Sequence, residues 1–309
     1  MLAIDRRIAV GTVAPVVRAA TPGRRALRAF LRDRFALAGC VLLAVLAVAA
    51  LWPVAWLPHP PELSDLDARL IPPAAFRGGT PVHPLGTDNL GRDLLSRMMH
   101  GARFSLFVAT SAVTIGAVLG IAAGVVAGYR GGLADVVLMR LVDVQLAFPL
   151  LLLIIATIAV LGRGLAVLIV ILGIPVWAHY ARIMRASTLS IAAAQYVEAA
   201  KALGGSETRL VARHILPNLA TPLVILTTFE IARLLLIESA VSFLGLGIQP
   251  PTPSWGTMIA DGRNHIYEGW WVSTIPGLGI FVAVLAFNFI GDGLRDVLDP
   301  KSHARRTII

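Results

Sequence analysis

Glu198-Ala199-Ala200-Lys201-Ala202-Leu203-Gly204, continuing to His214-Ile215-Leu216-Pro217, is the stretch on which the reading of this chain turns. It belongs to a polar segment of roughly 30 residues between two long apolar runs, where a plain helix connection takes only about 2–8. Gln195–Leu203 is rich in helix formers, and Gly204-Gly205 breaks the pattern. Ser206 can cap a second helix, which continues over Glu207–Ile215 until Pro217 begins the next apolar run. Two short helices meeting at a glycine bend predict a compact knob. Leu203, Leu210 and Ile215 supply it with apolar contacts, and Lys201, Arg209 and Arg213 with charge. Between two membrane spans, such a knob is a docking surface for a soluble partner.

Composition supports the membrane. Apolar residues make up 57% of the 309 residues and charged ones 15%, where a soluble domain carries roughly a quarter. A span needs about 20 mostly apolar residues. Six runs qualify: Phe35–Leu57, Phe104–Gly128, Val136–Leu161, Leu165–His179 with its continuation to Met184, Leu219–Leu246 and Val272–Ile290. The chain is therefore expected to be an all-α polytopic membrane protein with six transmembrane helices. Ala47-Val48-Ala49 resembles a signal cleavage site, but 34 residues precede the apolar run and it continues to Leu57, so an uncleaved anchor is expected. Cys40 stands alone inside that span, which excludes a disulfide framework.

The net charge of +9 points to orientation rather than to nucleic acid. With a cytoplasmic N-terminus, 19 of the 27 Lys and Arg fall on the cytoplasmic side, seven outside and one, Arg233, within a span. That is the bias expected of membrane proteins. Trp52, Trp56, Trp255, Trp270 and Trp271 then gather at the outer boundary, where amphipathic rings favour the headgroup zone.

The chain lacks the motifs that would make it an engine or an enzyme. Neither Lys201 nor Lys301 follows a Gly as a P-loop requires, no His precedes a Glu as in HExxH, and Ser206 fails the GxSxG pattern at Thr208. With one Cys and seven scattered His, no metal site and no bound cofactor are expected. Uphill transport must draw on a partner or an ion gradient.

Several spans carry chemistry. Gly116, Gly120, Gly124 and Gly128 form a smooth stripe on one helix face, suited to close helix packing. Arg140 and Asp143, one turn apart, suggest a local ion pair, and Gly173 with Pro175 a kink. Glu230, Arg233 and Glu238 share an arc of roughly 140° of one helix. Glu230 and Arg233 lie ~18–22 Å into their span, with Glu238 toward its outer edge. Charges at such depth cost at least ~2.5–3.5 kcal/mol each, so they either pair for packing or line a translocation path. On the outer side, seven prolines between Pro58 and Pro84 exclude a regular helix. Beyond them Leu90, Leu94, Leu95 and Met98 predict a short amphipathic helix, and Gln249–Trp271 forms a second outer loop.

These motifs together resemble a known family. Leu85-Gly86-Thr87-Asp88, Gly91-Arg92-Asp93, Gly101-Ala102-Arg103-Phe104-Ser105-Leu106, the 198–218 segment, Glu238 through Pro251 and Ala286 through Asp296 are similar to the C-type permease subunit of dipeptide, oligopeptide and nickel ABC importers, over roughly residues 35–300. The resemblance implies a type I ABC importer permease fold in the bacterial inner membrane with both termini cytoplasmic. It implies a heterodimer with a related permease, two cytoplasmic ATPases that bind the ATP and Mg, and an extracytoplasmic substrate-binding protein. Glu198, Ala199, Ala200, Leu203, Gly204, Ile215 and Pro217 take the ATPase-coupling roles. The implied division is a cytoplasmic segment 1–34, a first helix 35–57, an extracytoplasmic segment 58–100, a permease domain 101–296 with coupling loop 188–217, and a tail 297–309. Implied substrates are di- or oligopeptides, with nickel chelates, glutathione or opine-like compounds as alternatives. An ion-coupled secondary transporter is the alternative of a different class, but it would leave the knob idle, and no internal repeat is visible.

Overall fold

The computed structural model describes residues 28–298; residues 1–27 of the expected N-terminal segment and 299–309 of the expected tail lie outside the described residues. The described chain is helical. Its elements are α1 (Arg34–Leu51), α2 (Leu94–Arg130), α3 (Gly132–Ala147), α4 (Leu150–Leu161), α5 (Leu165–Ala192), α6 (Gln195–Ala202), α7 (Glu207–Phe243), α8 (Trp255–Gly262) and α9 (Trp271–Leu298). Five of these, α1, α2, α5, α7 and α9, are long and apolar enough to cross a membrane.

The sixth expected span takes a different form. Val136–Leu161 is not one helix: α3 and α4 meet at 91°. The break is local chemistry, since Pro149 lacks an amide hydrogen and pushes the preceding Phe148 into extended backbone (φ −86°, ψ 135°). Pro175 behaves oppositely and lies within unbroken α5, as Pro222 and Pro276 do within α7 and α9. Neighbouring helices compensate prolines at membrane depth.

Helix α2 packs most intimately on α5. A methyl group at Gly116, Gly120, Gly124 or Gly128 would collide with α5 at Val176, Tyr180, Met184 and Thr188, or with its carbonyls. Only glycine lets the two backbones come this close, and the return is dispersion contact along four turns. Helix α1 instead fully buries only Ala36, Gly39 and Ala50, packs Leu43 and Leu46 partly against the core and turns Leu37, Val41, Val45 and Val48 outward, as a helix with one face to lipid does. It starts where Asp33 Oδ1 accepts the amides of Phe35 and Ala36 at 2.8 and 3.1 Å.

The segment between α1 and α2 also departs from expectation. No separate amphipathic helix forms around Leu90; α2 begins at Leu94, capped by Asp93, whose Oδ2 accepts the Ser96 amide at 2.8 Å. Upstream, Gly86 and Gly91 adopt φ of 82° and 74°, positions that favour glycine, and each presses its α-carbon onto backbone from residues 65–73. The Asp88 carboxylate organises this turn. It accepts the amides of Leu90 and Arg92 at 2.8 and 3.0 Å and the Arg92 Nε–H at 2.6 Å. Asp261 on α8 completes the cluster, 3.0 Å from Arg92 and 3.3 Å from Arg97. The Trp271 indole N–H donates to the Thr87 carbonyl at 3.0 Å. The loop is thus tied to α8 and α9, far away in sequence.

The expected Arg140–Asp143 pair is not made. Asp143 pairs instead with Arg182 of α5 at 2.7 Å, and Asp135 receives two bonds from Arg185. Both carboxylates therefore brace α3 against α5 rather than their own helix.

Candidate functional site

The knob stands at the end of the bundle opposite the 58–93 loop. Helix α6 ends where Gly204 enters the left-handed region at φ 82°, and the Gly205 amide reaches back to the Ala200 carbonyl at 3.1 Å. No atom lies within 4 Å of where a Gly204 side chain would begin, so backbone conformation rather than space demands glycine there. Ser206 occupies the capping position of α7, but its hydroxyl caps nothing and faces Thr208 Oγ1 at 3.4 Å. Helix α7 then widens into a π turn over Val211–Ile215 and runs on through Pro217 without a break. Pro217 therefore does not start a new helix. It is the second residue of the regular part of α7, directly after the wide π turn.

Burial divides the knob's residues into two groups. Leu203 is 90% exposed, whereas Leu210 and Ile215 are 1% and 0% exposed. Ile215 packs with Val125, Met184 and Leu219. It anchors the knob to the bundle, and its expected place on the docking surface is corrected. Glu198, Ala199, Lys201, Leu203, Gly204 and Pro217 remain exposed, and Ala200 is half-buried. The exposed face thus combines small residues, one projecting leucine and charges of both signs.

A second site lies in the bundle. The bend between α3 and α4 opens a cavity of about 250 Å³ against α5 and α7, walled by Leu150, Ile154, Leu172, Val176 and Leu234. Gln145, His179 and Arg233 are its polar points. Arg233 Nη1 is 2.9 Å from His179 Nδ1 and 3.4 Å from both oxygens of Glu230. A guanidinium only donates, so His179 Nδ1 is the acceptor in that contact. Gln145 is held by the Trp177 indole N–H and by its own bond to the Ile174 carbonyl at 3.2 Å. His179 and Gln145 were not singled out from the sequence. Their signal was a polar side chain inside an apolar run, but the partner of His179 lies 54 residues away and on another helix.

Glu238 is not part of this group. It is wholly buried, accepts the Ser242 hydroxyl at 2.7 Å and is surrounded by Ser105, Ser239 and Ser254, at the junction of α7 with α2 and α8. One more juxtaposition escaped the sequence. His59, His83 and Asp93 bring ligand atoms within 4.8 Å of one another, a metal-competent grouping where none was expected.

Residues 120–303, more than half of the chain, match the family described as binding-protein-dependent transport system inner membrane component. This chain belongs to that family. Residues 21–73 match the N-terminal transmembrane domain of oligopeptide transport permease C. A di/tripeptide transport system permease protein of Pseudomonas aeruginosa is 41% identical over 281 residues, covering 91% of this chain and 93% of that one. A glutathione transport system permease protein of Pectobacterium atrosepticum is 39% identical over 300 residues, covering 96% and 98%. A dipeptide transport system permease protein of Haemophilus influenzae is 39% identical over 275 residues, covering 88% and 92%. Among solved structures, the inward-facing MetNI methionine ABC transporter aligns with a TM-score of 0.54 at 21% identity, over 66% of this chain and 97% of that one, which shows the shared fold. The protein is thus a multi-pass membrane permease component with the ABC importer permease fold, and not a catalytic subunit.

Proposed function

We propose that this permease forms half of a heterodimeric pathway in an ATP-driven importer of di- or oligopeptides. The observation that carries it is the knob, whose exposed face of Glu198, Ala199, Leu203 and Gly204 is anchored from behind by Ile215. Two cytoplasmic ATPases grip that face and its counterpart on the related permease, and a binding protein delivers solute from the other side. The excess of Lys and Arg in the terminal segments and in the knob supports a topology with both termini in the cytoplasm of a bacterial cell. This chain binds neither ATP nor metal for the transport step itself, and nucleic acid is no partner.

The peptide assignment draws support from two directions. The named relatives handle dipeptides, di/tripeptides and glutathione, itself a peptide. The cavity sets a cation, an imidazole and an amide among apolar walls, which suits a small solute that carries a carboxylate beside apolar groups.

Reconstitution tests it. Vesicles holding this chain alone hydrolyse no ATP and accumulate no labelled dipeptide; adding the partner permease, the ATPases and the loaded binding protein yields both. Accumulation by the chain alone on a proton or sodium gradient would replace the importer with a secondary transporter. Uptake of a nickel chelate or an opine, with dipeptides inert, would keep the class and change the substrate.

A further inference from the structure

We propose that His59, His83 and Asp93 bind one divalent transition-metal ion of the zinc class, a clip joining the exit of α1, the proline-rich loop and the start of α2. His59 lies 24 residues before His83 and His83 ten before Asp93, yet both imidazoles converge on one carboxylate oxygen. His83 Nδ1 is 2.9 Å and His59 Nδ1 3.9 Å from Asp93 Oδ1, and the two rings face each other with centroids 4.6 Å apart. Ligands bound at about 2.0–2.2 Å to a tetrahedral ion stand roughly 3.3 Å from one another. The two observed distances bracket that value, so small side-chain rotations complete the geometry.

The His83–Asp93 hydrogen bond alone does not account for the arrangement. That pair is satisfied without His59, whose Nδ1 is buried, lacks a hydrogen-bond partner among the described residues and is too far from the carboxylate to make one. An ion between the three would use this third nitrogen. The carboxylate also turns one oxygen toward both histidines. Its Oδ2 caps α2 through the Ser96 amide, leaving Oδ1 for the metal. Arg92 and Arg97, its cationic neighbours in sequence, are committed to Asp88 and Asp261.

Access and selectivity follow from the same residues. The Asp93 carboxylate is 0% exposed, whereas His59 and His83 are 30% and 14% exposed, so an ion enters past the imidazoles and keeps a position for water. Two imidazoles and one carboxylate suit zinc, cobalt or nickel over calcium or magnesium, which prefer oxygen cages.

The experiment uses the full-length permease assembled with its partners in lipid nanodiscs, stripped with a chelator and titrated with zinc against a chromophoric competitor. Wild type is expected to take up one ion per copy of this chain beyond that of a complex in which this chain carries His59→Gln, and His83→Gln to behave like His59→Gln. Asp93→Asn also loses the ion, although asparagine still caps α2 and preserves the fold. His100→Gln, on the second turn of α2, retains it. Zinc raises the thermal unfolding midpoint of wild type and His100→Gln only. Absence of that extra ion in the folded wild-type complex overturns the site, as does wild-type uptake by His59→Gln and Asp93→Asn. Neither outcome touches the transport assignment, which is read from uptake.

Discussion

The 58–93 loop and the 195–215 knob leave the apolar bundle at opposite ends, and they are held in different ways. The loop is tied across the sequence by Asp88 with Arg92 and Arg97, by Asp261 of α8, and by the Trp271 indole on the Thr87 carbonyl. The knob is closed by bonds between near neighbours, such as Gly205 to Ala200, and joined to the bundle through Val197, Leu210 and Ile215. Buried polar networks fix a single geometry, because separating any member strands a charge in a poor solvent. A locally closed element on apolar anchors can shift as a unit without stranding anything. One end is held by a buried polar network and the other by apolar anchors.

The largest effect should come from the polar network. Arg97→Leu removes a cation that is 3% exposed and leaves Asp88 and Asp261 to share Arg92 alone. Loss of one partner of a buried cluster costs about 3–5 kcal/mol, seen as a fall in folded, monodisperse protein and a lower unfolding midpoint in detergent. An unchanged midpoint would mean that the network is ornamental to the fold.

Gly204→Asp is the corresponding cut at the knob. A non-glycine residue at φ 82° costs about 1–2 kcal/mol, and the space around it is open, so the protein still inserts and folds. Uptake should nevertheless be abolished and ATPase capture by the purified permease weakened, because the new side chain projects into the docking face. Normal uptake in this variant would remove the knob from the transport mechanism.

The smallest effect belongs to the brace between α3 and α5. Arg182 and Asp143 are each 56% exposed, and ion pairs of that kind contribute about 0–1 kcal/mol. Arg182→Gln should leave the unfolding midpoint within a degree or two and uptake close to wild type. A large loss would show that the braces at this end resemble the buried network of the loop, and the contrast between the two ends would narrow.

Legibility followed the range of the interactions. The long spans, the glycine bend and the spacing of the α2 glycines depend on neighbours within a few residues, and hydropathy or periodicity carries that information. The break at Phe148-Pro149 was also written locally, yet Pro175, Pro222 and Pro276 sit inside unbroken helices. The same residue type gave opposite outcomes because neighbouring helices compensate the lost backbone bond at Pro175, Pro222 and Pro276, whereas at Pro149 the local push on Phe148 prevails. The pairing of Glu230 with Arg233 lies within one turn and was visible; the nitrogen of His179 beside it was not.

Composition and spacing were enough to place this chain in a membrane, to count its apolar runs, to rule out a nucleotide-binding loop of its own and to mark 198–217 as a polar helical segment set between two spans. Those properties are additive along the chain, since each residue's transfer from water or preference for a helix counts nearly independently of distant residues. Only the folded arrangement decided that Ile215 anchors while Leu203 projects, that Asp143 serves Arg182 rather than Arg140, that Glu238 sits apart from Glu230, and that two histidines close on Asp93. Each of these depends on which faces of different helices and loops are brought together, and burial and pairing across such contacts belong to no single stretch of sequence.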